Sequence, residues 1–84
     1  MSAPDEPTEI SITTRMEKAA PGERRAALHA CARDVGYLRR MNRLRPREVS
    51  RWASALQLWG ERRAGLTWSQ TSAEIIRGLR EGEQ

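Results

Sequence analysis

Phenylalanine is missing from this chain, and cysteine, histidine, tyrosine and lysine occur once each. The lone Cys31 excludes an intramolecular disulfide framework. A zinc site needs four ligands, and His29 and Cys31 are the only plausible ones. Standing two positions apart, they face different sides of a helix, so a Cys–His nucleophile is not expected either. No glycine-rich phosphate loop or dinucleotide fingerprint is present. Between residues 24 and 80 the acids are Asp34, Glu48, Glu61 and Glu74, and none pairs with another at a spacing suited to general acid–base work. No catalytic residue, metal or cofactor is therefore expected.

Long apolar runs are missing too. The longest uncharged stretch is the ten residues from Ala64 to Ala73, against roughly 20 for a membrane-spanning helix. Nothing resembles a signal peptide. The expectation is a cytoplasmic, reduced protein without membrane contact. Large apolar side chains are scarce: seven Leu, four Ile, two Val, three Met and three Trp in 84 residues. A core of that size rarely supplies more than about 3–5 kcal/mol, so docking on a partner or homo-oligomerisation is expected.

What the chain does have is arginine: fourteen, against Lys18 alone. The bias suits a GC-rich coding sequence as well as a functional role. The formal net charge is +4, but it is unevenly spread. Residues 24–80 hold thirteen arginines and four acids, while both ends are acidic. The stretch Arg33–Arg51 has seven arginines and two acids, too few for complete local pairing.

The pattern predicts an all-α fold. Residues 1–8 form an acidic, Pro-containing tail that should be disordered. Over 9–19 a helix capped by Thr8 competes with a short strand suggested by the alternation of Ile10, Ile12 and Thr14. Residues 9–80 then make one domain of three main helices, at about 22–44, 46–64 and 67–80, followed by a polar tail at 81–84. In the first long helix Leu28, Cys31, Val35, Leu38 and Asn42 share one face. Asn42 is there either as a helix-end residue meeting water or backbone, or as a buried polar group fixing register. Gly36 allows either close packing of another helix or a kink. Pro46 opens the next helix, whose inner stripe is Val49, Trp52, Leu56 and Trp59. Gly65 closes that helix, and Thr67 with Gln70 matches a capping box for the last one. Its inner face reads as Trp68, Ser72, Ile75 and Leu79, and the short connection predicts an antiparallel hairpin.

Arg25, His29, Arg33, Arg40 and Arg43 fall within about 80° on the first long helix, beside its apolar face. Arg45, Arg47 and Arg51 cluster where the second begins. These seven arginines are the candidate nucleic-acid or polyanion site, weighed against an ordinary solvated surface with pairs such as Glu48 and Arg51. Leu58, Arg62 and Trp59 are the candidate protein interface. Core packing is the default for all three tryptophans, and an interface anchor the alternative.

Two short stretches resemble known families. Ile10-Ser11-Ile12-Thr13 before a helix is similar to ribbon-helix-helix repressors, but that pattern needs a short turn to a second helix. Here the first long helix runs on through Arg43. Leu66-Thr67-Trp68-Ser69 before a helix, with Leu44-Arg45-Pro46-Arg47-Glu48-Val49, resembles helical segments of phage tail-assembly chaperones, in reversed order and over a small part of the chain. It implies a phage- or mobile-element-type accessory factor. The resulting expectation is a non-catalytic binding or regulatory protein docking on nucleic acid or a nucleoprotein complex. The alternative is a protein-directed adaptor, assembly factor or inhibitor.

Overall fold

A computed structural model describes residues 6–84 as four α-helices: α1 Glu9–Lys18, α2 Arg24–Arg40, α3 Pro46–Arg62 and α4 Trp68–Glu83. A single 3₁₀ turn, Pro21–Glu23, leads into α2. Residues 1–5 of the expected acidic tail lie outside the described residues. Residues 6–8 are engaged rather than loose, because Glu6 pairs with Arg43 at 3.1 Å and Thr8 caps α1.

The helix starts follow from their caps. Ser11 N–H donates to Thr8 Oγ1 at 3.1 Å, and Thr8 N–H donates to Ser11 Oγ at 2.8 Å. Residues 9–18 are therefore helical, not a strand. The two isoleucines show why: Ile12 is 0 % exposed and Ile10 is 79 % exposed, whereas a strand would have put both on one face. At α4, Gln70 N–H donates to Thr67 Oγ1 at 3.1 Å, and Thr67 N–H donates to Gln70 Oε1 at 3.0 Å. At α3, Pro46 supplies the first turn and Glu48 reaches back to the Arg45 N–H at 3.1 Å.

The helix ends differ more from expectation. α2 stops at Arg40, four residues short of Leu44. Asn42 adopts a left-handed φ of 56°. Arg43 N–H then bonds back to the Leu38 carbonyl at 2.8 Å, and Asn42 N–H to that of Arg39 at 3.0 Å. This is a Schellman closure with Asn in the position glycine usually takes. Asn42 is exposed, so it is a helix-end residue and not a buried register-setter. α4 instead runs to Glu83, so residues 81–84 are not a tail. Glu81 and Glu83 pair with His29 and Arg39, and Gly82 is buried against α2.

From α2 to α4 the helices alternate up, down, up. α3 and α4 form the expected antiparallel hairpin, with Ser72 Oγ donating to Gln57 Oε1 at 3.0 Å and Gln57 Nε2 donating to the Trp68 carbonyl at 3.2 Å. α2 and α4 are parallel: Arg25 meets Glu74, and Arg39 meets Glu83. This seam is the closest in the molecule because it is built of small residues. A Cβ added at Gly78 would lie 2.6 Å from Ala32 Cβ and 2.9 Å from the His29 carbonyl. Cβ atoms at Gly36 or Gly82 would collide with the backbone of Leu79 or Arg33. Gly36 thus serves close packing, and α2 passes through it unbroken.

The core combines Ile12, Leu28, Cys31, Val35, Leu38, Leu44, Val49, Leu56 and Ile75. α1 closes one side of it, tied by Trp59 Nε1–H donating to the Met16 carbonyl at 3.0 Å. Trp52 and Trp59 are half-buried at the edge of this core. Trp68 contradicts its expected inner placement and is 65 % exposed. The buried arc of α4 is Thr71, Glu74, Ile75, Gly78 and Gly82, rotated by about 70° from the face that apolar spacing indicates.

Candidate polyanion-binding surface

The two arginine sets meet different surroundings. Around α2 the neighbours follow in the order α1, α3, α4, and the stripe Arg25–His29–Arg33–Arg40 lies along the α4 side. There α4 presents carboxylates. Arg25 Nε is 3.5 Å from Glu74 Oε2. His29 stands between two acids, with Nδ1 2.7 Å from Glu74 Oε1 and Nε2 2.6 Å from Glu81 Oε2. The Nδ1 contact is off the line of a hydrogen bond. Arg77 joins from α4 itself, 3.9 Å from Glu74 and 3.6 Å from Glu81. The His29 hydrogen bond, followed by the charges of His29 and Arg77, holds the Glu81 carboxyl below its ordinary value.

Farther along, Arg39 pairs with Glu83 at 2.9 Å, Arg40 donates to the Gln84 carbonyl and Arg43 pairs with Glu6. Of this α2 stripe, Arg33 and Arg40 make no ion pair among the described residues, and Arg40 has only the Gln84 carbonyl as its partner. The α2 stripe is therefore mostly a seam of internal countercharges rather than an open cationic face.

α3 is different. Arg45 stands at its N-cap, and Arg47, Arg51 and Arg62 are exposed on its outer side. None of the four is within ion-pairing distance of a carboxylate among the described residues. Arg47, Arg51, Leu58 and Arg62 lie within about 60° of one another, along about 22 Å of helix. Leu58, 53 % exposed, sits inside this line. Ser50 and Ser54 flank it with exposed hydroxyls. Trp59 belongs elsewhere: it turns inward to α1, so the expected grouping of Leu58, Arg62 and Trp59 is not one surface. The α2 stripe thus runs beside α4, whereas Arg47 and Arg51 lie on the outer side of α3.

Cys31 is fully buried, with its thiol 3.8 Å from the Ile12 carbonyl, and burial pushes its pKa up to about 11. A protonated, enclosed thiol is a core group. The described residues contain no group of three or more His, Cys, Asp or Glu placed to hold a metal ion. No helix among them is long and apolar enough to cross a membrane.

Sequence reasoning missed the His29–Glu74–Glu81 network, because its partners lie about 50 positions apart and only the parallel helix pairing joins them. Glu74 is buried, which nothing in its local pattern indicated. Comparison with family models, curated proteins and solved structures yields no match.

Proposed function

We propose that this is a small non-catalytic binding protein that docks the outer face of α3 on nucleic acid, free or within a nucleoprotein complex. The observation carrying this reading is the line of arginines on α3 with no carboxylate partner among the described residues. Four guanidiniums along one exposed helix suit a row of phosphates, which in duplex DNA offers one charge per about 3.4 Å on each strand. Arg adds bidentate geometry to its charge. Arg45, Arg47, Arg51 and Arg62 are the contact residues in this reading. Arg25, Arg40 and Arg43 are spent within the fold. A role as a phage- or mobile-element-type accessory factor is compatible with such a module.

Binding to a random duplex, followed by fluorescence anisotropy, tests the proposal. Four phosphate contacts give a log–log salt slope of about −3.6, so affinity should fall about 10²-fold between 50 and 200 mM salt. The triple variant R47A/R51A/R62A should abolish binding, while R25A/R40A should bind nearly as well as the parent. No binding at low salt, or binding indifferent to salt, rejects the proposal. Leu58 favours a second reading, an adaptor, assembly factor or inhibitor that sets this face on an acidic protein surface. That reading requires Leu58→Ala to weaken capture of a protein partner while leaving duplex binding unchanged.

A further inference from the structure

Between α1 and α3 runs a groove of about 510 Å³. That volume lies within the range of roughly 300–1,000 Å³ usual for small-molecule sites. Its apolar surface comes from Met16, Trp52, Ala55 and Trp59. The indoles sit at i and i+7 on α3 and so share one helix face. The Trp59 ring is fixed by its N–H bond to the Met16 carbonyl, so this wall is formed before anything binds.

The groove also reverses the sign of the molecule. The chain carries a net +4, yet three carboxylates, Glu9, Glu17 and Glu48, border the groove against the single Arg51. Glu48 is partly occupied by the Arg45 N–H. The Glu9 and Glu17 side chains make no hydrogen bond or ion pair with another described residue. They stand two turns apart, about 12 Å along α1. That track is short for a partner helix and matches a compact ligand. Indole walls attract cations through the ring quadrupole, and flanking carboxylates add charge complementarity.

We propose that the α1–α3 groove is a binding site for a small lipophilic organic cation, an apolar body bearing one positive charge. Its apolar part packs on Met16, Trp52 and Trp59, and its charge lies toward Glu9 and Glu17. The α3 outer face shares only Arg51 with this site, so the groove does not depend on the nucleic-acid reading.

The test uses the full chain, without nucleic acid. Tetraphenylphosphonium is titrated against neutral triphenylphosphine oxide, with tryptophan fluorescence and backbone amide NMR shifts as readouts. The cation should saturate with a Kd below ~1 mM and shift amides of α1 and α3. The neutral compound should bind at least about tenfold more weakly. The surface variant E9Q/E17Q should keep the parent circular dichroism spectrum and lose about tenfold in cation affinity. Equal binding of both compounds, unchanged affinity in E9Q/E17Q, or shifts confined to Trp68 would overturn the assignment. So would groove shifts that follow protein concentration without responding to the cation, which would give the groove to a second copy of the chain.

Discussion

Replacing Gly78 by Ala should destabilise the protein, although Ala is the better helix former. In an unpacked helix the change gains about 1 kcal/mol. Here the new methyl would sit 2.6 Å from Ala32 Cβ, 2.9 Å from the His29 carbonyl and 3.1 Å from the Arg33 nitrogen. Carbon atoms in ordinary contact lie about 3.5–4.0 Å apart, so α2 and α4 must separate by about 1 Å. Two of the three obstacles are backbone and cannot rotate away. Overpacking of this kind costs about 1–3 kcal/mol. A gap of that width also forfeits a quarter to a half of each dispersion contact along the seam. Taking overpacking and lost dispersion together at the upper end, about 3 kcal/mol, and subtracting the propensity gain of about 1 kcal/mol leaves a net loss of about 2 kcal/mol. Urea unfolding followed by circular dichroism at 222 nm should show the midpoint falling by about 2 M, for a slope of about 1 kcal/mol/M. The thermal midpoint should drop by about 8–16 °C. Ala32→Gly in the same chain should return part of the loss, giving a favourable coupling in the double-mutant cycle. The backbone obstacles keep that rescue incomplete. A Gly78→Ala protein as stable as the parent refutes the reasoning, because it means the seam has room. Gly22→Ala is the control: nothing lies within 4 Å of its added Cβ, and stability should change by less than about 0.5 kcal/mol.

Other expectations are separately measurable. Asn42 holds a left-handed φ of 56°, so Asn42→Gly should be neutral or stabilising and Asn42→Ala should cost about 1 kcal/mol in the same unfolding assay. The carboxyl of Glu81 is held below its ordinary value of 4.5 by its bond to His29. Its contribution to stability is therefore fully present above that value and is lost as pH falls through the depressed folded value. Thermal midpoints recorded from pH 6 to pH 2 should fall less steeply in Glu81→Gln than in the parent; parallel curves would contradict this. The Cys31 thiol is pushed up to about 11, so at pH 8 a maleimide should react with it only as fast as the protein opens. Labelling at the rate of a free thiol would show that the core is not closed around it.

Helix starts were the most legible part of the chain, because a cap is a local event. Thr8, Pro46 and the Thr67–Gln70 pair act within one turn of themselves, and each does so as its type and spacing indicate. Core stripes on α2 and α3 were legible for a related reason: their inner faces are lined with Leu, Val and Cys at regular steps. α4 was legible only in part: Ile75 and Leu79 pack on the core as their spacing indicates, but the rest of its inner face is Thr71, Glu74, Gly78 and Gly82. A pattern of hydrophobicity cannot distinguish a glycine that admits a neighbouring backbone from one that merely interrupts. The same blindness extended to charge. Arg25, His29, Arg39 and Arg40 look surplus along the chain, and their partners Glu74, Glu81, Glu83 and the Gln84 carbonyl become neighbours only once α2 and α4 run side by side. The α3 line needed no such partnership, because helical geometry alone brings Arg47, Arg51 and Arg62 to one outer face.

The parallel seam has an electrical consequence. Each helix carries the equivalent of about half a negative charge at its C-terminal end. Side by side, α2 and α4 bring two such ends to one pole of the bundle, and antiparallel α3 returns one positive end to it. Arg39 and Arg40, in the last turn of α2, reach across to the last residues of α4 and meet both negative ends at once. Two of the arginines that make the middle of this sequence so basic are thus counterions to the polarity of the backbone itself.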